Sequence, residues 1–221
     1  MIEPKLDAGR AISSEPLVDV SIPRLYAYHR VLRQAQANGK RTITSHGLAA
    51  MLGHTIASTQ IRKDLCALGP LGRRGQGYAI DPLVGQLAWV LGLEHDWRIA
   101  IVGFGYLGRA FAAFITARER RFNVAAIFDR APAVVGQSWQ GIVVRDVTEM
   151  DQTLATAECN IAVIAVPAEA AQECAQHVAD LGIRAILNFA PMPLHLRGPV
   201  IVRNIDLAGE MAILTHRLSL E

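Results

Sequence analysis

The feature that most restricts the fold of this chain is a short apolar segment that runs directly into a glycine-rich loop. Residues 98–102 read Arg-Ile-Ala-Ile-Val, and Gly103-Phe-Gly-Tyr-Leu-Gly108 follows, before a helical pattern over Ala110–Arg118. In a GxGxxG loop between a strand and a helix, the first glycine makes the turn, the second lets the backbone approach a pyrophosphate, and the third lets the helix pack on the strand. The segment therefore predicts the start of a dinucleotide-binding α/β domain.

The end of the next predicted strand, Val124–Phe128, carries the second sign of a dinucleotide site. Asp129 follows this strand directly. A carboxylate there accepts hydrogen bonds from an adenosine ribose and repels a 2′-phosphate, which favours NAD(H) over NADP(H). Arg130 follows and weakens that preference, because a guanidinium attracts phosphate.

Strand-like and helical segments alternate through the rest of the second half, which predicts a parallel sheet covered by helices on both faces. We expect this Rossmann domain to span residues 97–205, with further strands at residues 161–166, 185–189 and 200–202 and a helix at residues 169–181. Residues 206–221 follow as a terminal helix. Its apolar stripe consists of Leu207, Met211, Leu214 and Leu218. Such a stripe needs a cover, from its own domain or from a partner subunit.

The first half of the chain is strongly basic. Residues 21–80 contain nine Lys or Arg and one acid, Asp64, although the whole chain carries a net charge of only +2. A charge split of this kind predicts a basic module that meets a polyanion, attached to a near-neutral or acidic domain.

Three helical segments joined by short turns predict a helix-turn-helix in this basic half. The segments cover residues 24–38, residues 46–52 with Ser45 as the cap, and a third helix that begins after a cap at Thr55 or Ser58 and ends near residue 68. A fourth helix is expected at residues 81–91. The winged-helix domain is thus predicted to span residues 21–92, after a loose arm at residues 1–20.

The glycine-rich stretch from Gly69 to Tyr78 contains the adjacent residues Arg73 and Arg74. It follows a helix instead of a strand, and no helix begins on its last glycine, so it differs from the nucleotide loop. A glycine-rich hairpin with two arginines after the third helix is typical of a wing that contacts a DNA backbone or a minor groove.

The remaining composition argues against a membrane or metal protein. No apolar run reaches the length of a membrane span, and the N-terminus has no apolar signal core, so we expect a cytoplasmic protein without a membrane partner. The three cysteines, Cys66, Cys159 and Cys174, lack the paired spacing of metal ligands. We expect free thiols that serve in packing.

With these features, the sequence resembles the Rex redox-sensing transcriptional repressors of bacteria, over nearly all residues from 21 to the end. The motifs that carry the resemblance are Gln60-Ile-Arg-Lys-Asp-Leu65, Gly72-Arg-Arg-Gly-Gln-Gly-Tyr78, Gly103-Phe-Gly-Tyr-Leu-Gly108, Phe128-Asp129, Val166-Pro-Ala-Glu-Ala-Ala-Gln172, Ile186-Leu-Asn-Phe-Ala-Pro191 and Val202-Arg-Asn-Ile-Asp206. Their common order is far more specific than any one of them.

The resemblance implies a homodimer with an N-terminal winged helix, a C-terminal Rossmann domain and a terminal helix that swaps between subunits. It also implies repression at palindromic double-stranded operators, release by NADH, and competition by NAD⁺, which is compatible with DNA binding. The implied DNA-binding residues are Ser45, Ser58, Thr59, Gln60, Arg62, Lys63, Arg73 and Arg74. The implied cofactor-binding residues are Gly103, Phe104, Gly105, Tyr106, Leu107, Gly108, Asp129, Arg130, Val166, Pro167, Asn188, Phe189, Ala190 and Pro191.

The resemblance further implies a switch contact between Arg30 and Asp206 that depends on the state of the dimer. Two positions depart from the family pattern. Phe114 stands where many relatives carry a tyrosine, so a link through a hydroxyl would be missing. Cys66 stands where relatives usually carry a serine, and we interpret it as a packing residue.

The alternative function is an NAD-dependent dehydrogenase, which usually needs a His, Lys or Tyr as general acid. The Rossmann half contains no lysine, because the chain's lysines are Lys5, Lys40 and Lys63. His177 and His195 are interpreted as surface or packing residues. A CoA-type nucleotide-binding module is a third interpretation, but it leaves the basic half unexplained. We therefore expect a regulator without catalytic residues.

Overall fold

The computed structural model describes residues 21–73, 76–118 and 121–220. The predicted arm at residues 1–20 and Arg74 lie outside the described residues, as does the side chain of Arg73. The chain divides into two compact units, with the boundary between Glu94 and His95. Each unit has a hydrophobic core of its own.

The first unit is a winged helix. Its elements are α1 (Ile22–Ala37), β1 (Thr42–Ile43), α2 (Ser45–Met51), α3 (Ser58–Cys66), β2 (Gly72–Arg73), β3 (Gly77–Ala79) and α4 (Ile80–Val90). The strands form a three-stranded antiparallel sheet in the order β1-β3-β2. The predicted fold class is confirmed for this unit, and β2 and β3 form the wing.

Apolar residues at helical spacing build the core of the first unit. Leu25, Tyr28 and Leu32 of α1 are fully buried, and they share this core with Ile61 and Leu65 of α3. Burial of side chains of this size contributes about 1.5–3 kcal/mol each. The core therefore fixes which face of α3 points inward and which points to solvent.

The predicted helix caps of the first unit are wrong. The side chain of Thr44, and not that of Ser45, caps α2 by accepting a hydrogen bond from the backbone N–H of Gly47 at 3.0 Å. Ser45 is the first residue of the helix and is buried. The residue before α3 is Ala57, whose methyl side chain cannot accept a hydrogen bond. Neither Thr55 nor Ser58 therefore caps this helix.

The second unit is a doubly wound α/β domain. Its strands are β4 (Trp97–Val102), β5 (Phe122–Asp129), β6 (Ser138–Trp139), β7 (Ile142–Asp146), β8 (Ile161–Ile164), β9 (Ala185–Asn188) and β10 (Ile201–Asn204). They form a seven-stranded sheet in the order β10-β9-β8-β4-β5-β7-β6, and every pair is parallel except β6 with β7. The helices are α5 (Tyr106–Arg118), α6 (Met150–Ala157), α7 (Ala168–Asp180) and α8 (Leu207–Leu218). The predicted Rossmann fold is confirmed.

The strand order reverses between β4 and β8, because β5 and β7 lie on one side of β4 and β8, β9 and β10 on the other. In such sheets ligands bind at this reversal, beside the carboxyl ends of the strands. Successive side chains of β4 point to opposite faces of the sheet, which explains how helices cover both faces. Ile99 and Ile101 share a core with Ala112 of α5, whereas Ala100 and Val102 share one with Leu154 of α6 and Ala175 of α7.

Strands β6 and β7 and helix α6 are absent from the sequence prediction. The pattern of β7 is weak because the strand is short, has Val143 exposed and ends in Arg145-Asp146. Helix α6 contains only eight residues, so its apolar period is seen barely twice. Strand β7 and helix α6 bring residues 147–150 to the edge of the sheet where the candidate site lies.

Candidate nucleotide site and nucleic-acid interface

Two glycines of the loop after β4 are required by the fold. A Cβ at Gly103, where φ is +94°, would lie 2.5 Å from the carbonyl oxygen of Ala165. A Cβ at Gly108 would overlap the carbonyl oxygen of Gly103. Both contacts are with backbone atoms, which cannot move aside as a flexible side chain can. Gly103 therefore makes the tight turn after β4, as predicted for the first glycine, and Gly108 lets α5 pack closely on that strand and turn, as predicted for the third.

Gly105 is different, because the protein itself does not require a glycine there. Within the described part of the chain, a Cβ at Gly105 would have no heavy atom within 4 Å. Its φ is not in the left-handed region, and the residue is exposed at the mouth of a cavity. The absence of a side chain leaves the backbone open for the close approach of a ligand, which is the role predicted for the second glycine.

Asp129 joins the end of β5 to the glycine loop. One of its carboxylate oxygens accepts a hydrogen bond from the backbone N–H of Phe104 at 2.6 Å, and the other accepts from the N–H of Ala131 at 2.8 Å. Each oxygen of an ionised carboxylate has capacity for a second donor. Asp129 can therefore fix the loop and still accept a hydrogen bond from a ribose hydroxyl in the cavity that it lines.

Arg109 fixes the other side of the loop. Its Nε donates to the carbonyl oxygen of Phe104 at 3.0 Å, its guanidinium lies 4.6 Å from the centroid of the Phe104 ring, and a terminal nitrogen donates to Gln137 Oε1 at 2.7 Å. The Phe104 side chain is fully buried and packs edge-to-face on Trp139. The loop is thus held rigidly before any ligand binds, which reduces the entropy cost of binding.

A cavity of about 530 Å³ opens at the reversal of the strand order. This volume is in the range of small-molecule and cofactor sites. Of the residues predicted to bind a cofactor, the structure brings six together around it: Gly103, Gly105, Asp129, Arg130, Val166 and Pro167.

Other residues predicted to bind a cofactor have different surroundings. The described lining of the cavity does not include Phe104, Tyr106, Leu107 or Gly108. The ring of Phe104 is buried in the core, and its backbone forms part of the glycine loop. Tyr106, in contrast, is 99% exposed.

The segment after β9, predicted to line the nicotinamide end, also lies outside this lining. Asn188 is fully buried; its Oδ1 accepts from the N–H of Ala190 at 3.0 Å, and its Nδ2 donates to the carbonyl oxygen of Met192 at 2.8 Å and to Asn204 Oδ1 at 2.9 Å. The hydrogen bonds of the Asn188 side chain therefore shape the turn after β9. This geometry does not favour a direct contact between the Asn188 side chain and a cofactor. Phe189 is half-buried, and its ring packs on Phe111 with centroids 5.8 Å apart. For Phe189, Ala190 and Pro191 the role at the nicotinamide end stays a prediction.

Several cavity residues were missed by the sequence analysis. They are Ala131, Val147, Thr148, Met150, Ala165, Ala170, Glu173, Cys174 and His177. Those at 147–150 follow the unpredicted strand β7. Those on α7 lie beside its buried stripe of Ala171, Ala175 and Val178, and Glu173 and His177 are exposed. The Nε2 of His177 lies 2.6 Å from Asp151 Oδ1. Burial, reinforced by Glu173 and opposed by Arg130, raises the pKa of the Cys174 thiol.

The outward face of α3 is the candidate nucleic-acid surface of the first unit. Thr59, Arg62 and Lys63 are exposed, in agreement with their predicted role, whereas Ser58 and Gln60 are half-buried. Ser45 is 7% exposed, so its side chain offers little surface to a duplex. Cys66 is exposed, so the prediction that it is a packing residue is wrong. Cys159 and Cys174 are partly buried, and all three thiols are free.

A buried polar network lies behind this face and joins α3 to α1. Asp64 of α3 accepts two hydrogen bonds from the Arg24 guanidinium at 2.7 and 2.8 Å, one from the Tyr28 hydroxyl at 2.8 Å and one from Gln60 Nε2 at 2.7 Å. Burial by itself would raise the pKa of the Asp64 carboxyl, but these hydrogen bonds outweigh it and lower the pKa below its ordinary value. Asp64 is therefore an ionised, fully used acceptor in the core.

Terminal helix α8 begins at the predicted place, with Asp206 as its cap: the Asp206 carboxylate accepts from the N–H of Gly209 at 2.9 Å. Within the described chain, none of its residues is buried, and Leu207, Met211, Leu214 and Leu218 are each more than half exposed. Phe114 on α5 is also 57% exposed. The described helices include none with the length and apolar character needed to cross a bilayer.

Known proteins match both units. Residues 19–66 match the family "Putative DNA-binding protein N-terminus", and residues 94–192 match the family "CoA binding domain". The redox-sensing transcriptional repressor Rex of Syntrophomonas wolfei subsp. wolfei is 37% identical over 202 residues, which cover 91% of this chain and 95% of the relative.

Solved structures match over the same length. The crystal structure of RSP in complex with beta-NAD⁺ and operator DNA has a TM-score of 0.83 and 31% identity, and it covers 92% of this chain and 94% of that one. The crystal structure of RSP in complex with beta-NADH has a TM-score of 0.79 and 30% identity, over 92% and 95% of the two chains.

These relatives extend across both units and are transcriptional repressors, which the dehydrogenase alternative does not explain. The CoA-type interpretation accounts for only the second unit. A winged helix with a basic outward face, followed by a dinucleotide-type glycine loop, has the same order of parts as the repressors it matches. The chain belongs to the Rex family of redox-sensing transcriptional repressors.

Proposed function

We propose that this protein represses transcription as a homodimer that binds operator DNA through the first unit and NAD(H) through the second, and that NADH releases it from DNA. The observation that carries the proposal is Gly105. It is a glycine that the fold does not need, at the mouth of a cavity of about 530 Å³ and in the loop position where a pyrophosphate approaches.

The residues around the cavity fit a dinucleotide. Helix α5 begins within the glycine loop, and its first N–H groups favour an anion, because the amino end of a helix carries partial positive charge. Asp129 is positioned to accept from a ribose hydroxyl, and Val166 and Pro167 provide an apolar wall beyond it. RSP has been crystallised with beta-NAD⁺ and with beta-NADH, which supports the same ligand class here.

The two forms of the nicotinamide ring differ by a hydride and a positive charge. A ligand shifts a conformational equilibrium only by its difference in affinity for the two states. If Phe189 lies at the nicotinamide end as predicted, its apolar surroundings would favour the neutral ring, because burial of an unpaired charge is costly. We propose that this difference selects the dimer geometry that does not fit the operator.

The first unit supplies the DNA contacts. Arg62 and Lys63 on the outward face of α3 are proposed to reach the major groove, with Thr59 beside them, and Arg73 and Arg74 of the wing are proposed to contact the backbone. RSP has been crystallised with operator DNA, which supports this use of the fold.

Helix α8 is proposed to pack on a partner subunit. Its apolar stripe is exposed along the whole helix in the single chain, and exposure of a continuous apolar patch is a mark of an interface. Arg30 on α1, which is exposed, and Asp206 at the start of α8 are proposed to form the contact that depends on the state of the dimer. Phe114 cannot add a hydroxyl to that link, so the switch would depend on the charges.

The dimer and the palindromic operator can be tested by separate experiments. Sedimentation of the full chain should give a dimer, and Met211→Glu should give a monomer, whereas Glu210→Gln on the same helix should not. Selection from a random duplex pool should yield a palindromic sequence, because a two-fold dimer reads two related half-sites. A monomeric wild-type protein, or a pool without an enriched sequence, would refute the proposal. The proposed place of action is the cytoplasm, where the chromosome and the NAD(H) pool meet.

A further inference from the structure

We infer that Gln60 is a positioning residue that acts through Asp64, and that the base-reading surface of α3 consists of Thr59, Arg62, Lys63 and Cys66. This inference rests on the proposed DNA-binding function. It differs from the sequence prediction, which assigned Gln60 to direct DNA contact and Cys66 to packing.

The rotation of α3 about its axis separates Gln60 from the four proposed base-reading residues. The core fixes this rotation through Ile61 and Leu65, which are fully buried. At 3.6 residues per turn, the four proposed reading residues fall within an arc of about 100°, directed away from those core residues. Gln60 lies roughly 110° from the centre of that arc and roughly 40° from Asp64. The exposures agree, because the four are exposed and Gln60 is only half-exposed.

The chemistry of Asp64 determines how the Gln60 amide is oriented. An ionised carboxylate only accepts hydrogen bonds, so the group 2.7 Å from Asp64 Oδ1 must be the NH₂ of Gln60 and not its oxygen. A glutamine that reads adenine directs its amide oxygen and its NH₂ together at one base edge. The Asp64 bond turns the NH₂ toward the protein instead.

The network also explains why the position of α3 depends on this carboxylate. Arg24 and Tyr28 belong to α1, while Gln60 and Asp64 belong to α3. The Asp64 side chain is only 5% exposed and the Arg24 side chain 26%, so this ion pair is screened little by water. A two-pronged arginine–carboxylate contact fixes orientation as well as distance. Any loosening of the network therefore changes how the whole outward face of α3 meets a duplex.

The test compares base preference, which a general loss of stability does not alter. The probe is the duplex that the wild-type protein selects from a random pool, together with a panel of its single-base-pair variants. Fluorescence anisotropy at fixed salt gives the affinity of wild type, Gln60→Ala and Arg62→Ala for each duplex. Thermal unfolding and NADH affinity confirm that each variant is folded.

For Gln60→Ala we expect the affinity to fall by a similar factor, up to about tenfold, on every duplex, so that the order of preference stays as in wild type. For Arg62→Ala, the matched change on the outward face, we expect the preference at one base pair to weaken. Loss of preference at a single base pair in Gln60→Ala would overturn the inference and make Gln60 a base reader. Unchanged affinity on every duplex would overturn it as well.

A double-mutant cycle tests whether Gln60 acts through Asp64. In an Asp64→Ala background, Gln60→Ala should cause no further loss of affinity, whereas independent effects would multiply. If Asp64→Ala does not fold, the preference profile of Gln60→Ala decides alone, since it needs no change at Asp64. A wild-type protein that selects no duplex would instead refute the proposed function itself, and this inference with it.

Discussion

The carboxylate of Asp129 lies 2.6 Å from the backbone nitrogen of Phe104, so the tip of β5 is hydrogen-bonded to the glycine loop that follows β4. One side chain thereby fixes the shape of the loop and borders the cavity. Arg130, the next residue, lines the same cavity with the opposite charge. We therefore expect the selectivity of the site for the adenosine ribose to depend on these two adjacent residues, which have opposing effects on a 2′-phosphate.

Asp129→Asn should change this selectivity. The amide keeps one acceptor for the loop but removes the negative charge that repels a 2′-phosphate, and Arg130 remains to attract it. We expect the ratio of NADPH to NADH affinity to rise by about tenfold, as measured by fluorescence titration of both cofactors. Asp129→Asn combined with Arg130→Ala is the control and should lose the gain. An unchanged ratio in the single variant would argue against ribose recognition at Asp129.

Gly105→Ala and Gly108→Ala form a matched pair. Among the described residues, and apart from its chain neighbours, a methyl group at Gly105 meets no heavy atom within 4 Å. The free energy of unfolding of Gly105→Ala should therefore stay within about 0.5 kcal/mol of wild type. Its NADH affinity should fall by tenfold or more, because the methyl occupies the path of the pyrophosphate. Gly108→Ala should instead destabilise the second unit, because its Cβ would overlap the Gly103 carbonyl oxygen.

Thermal unfolding and NADH titration of both variants check this difference. Wild-type NADH affinity in a folded Gly105→Ala protein would mean that the ligand does not pass over this glycine.

The buried Asp64 predicts a pH dependence of stability. Its folded-state pKa is lower than the ordinary value of 3.8, so its stabilising effect is fully present above that value and is lost as the pH falls through the lowered pKa. Asp64→Asn removes the titrating group. The difference in Tm between wild type and Asp64→Asn should therefore be constant from pH 7 to about pH 5 and shrink below about pH 3.8. A difference that stays constant to pH 3 would show that the carboxylate is not held ionised by Arg24.

Arg73 and Arg74 of the wing should contribute to the salt dependence of DNA affinity, because they are the residues proposed to contact the DNA backbone. Each phosphate contact releases a counterion, so loss of one contact reduces the magnitude of the slope of log K against log salt by about one. Arg73→Ala or Arg74→Ala should reduce the slope in this way and leave NADH affinity unchanged. Arg184→Ala, an exposed arginine of the second unit, is the control and should keep the wild-type slope. Equal slopes in all of these proteins would place the DNA contacts elsewhere.

The glycine loop and Asp129 could be predicted from the sequence because their chemistry is local. A turn, a close backbone approach and a carboxylate at a strand end each leave a mark within a few residues. The alternating strands and helices likewise each show a characteristic spacing of apolar residues along the sequence. Fold class follows from these signals without any information on long-range contacts.

The rest of the site depends on contacts between distant segments. Strand β7 is too short and polar at its end to stand out, so Val147 and Thr148 could not be assigned to the cavity. In the sequence, Asp64 stands out only as one acid among many basic residues. Its place between the buried Ile61 and Leu65 nevertheless indicates that its side chain points inward. Its partner Arg24 lies 40 residues away, and no local pattern predicts that pairing.

The most direct test of the account is fluorescence anisotropy of the selected operator duplex with the wild-type protein, with NADH and NAD⁺ titrated separately at fixed salt. The account predicts that NADH dissociates the complex at concentrations at which NAD⁺ leaves it intact, and that Gly105→Ala makes the complex resistant to NADH. DNA binding that is indifferent to NADH, from a protein shown to bind NADH, would contradict it.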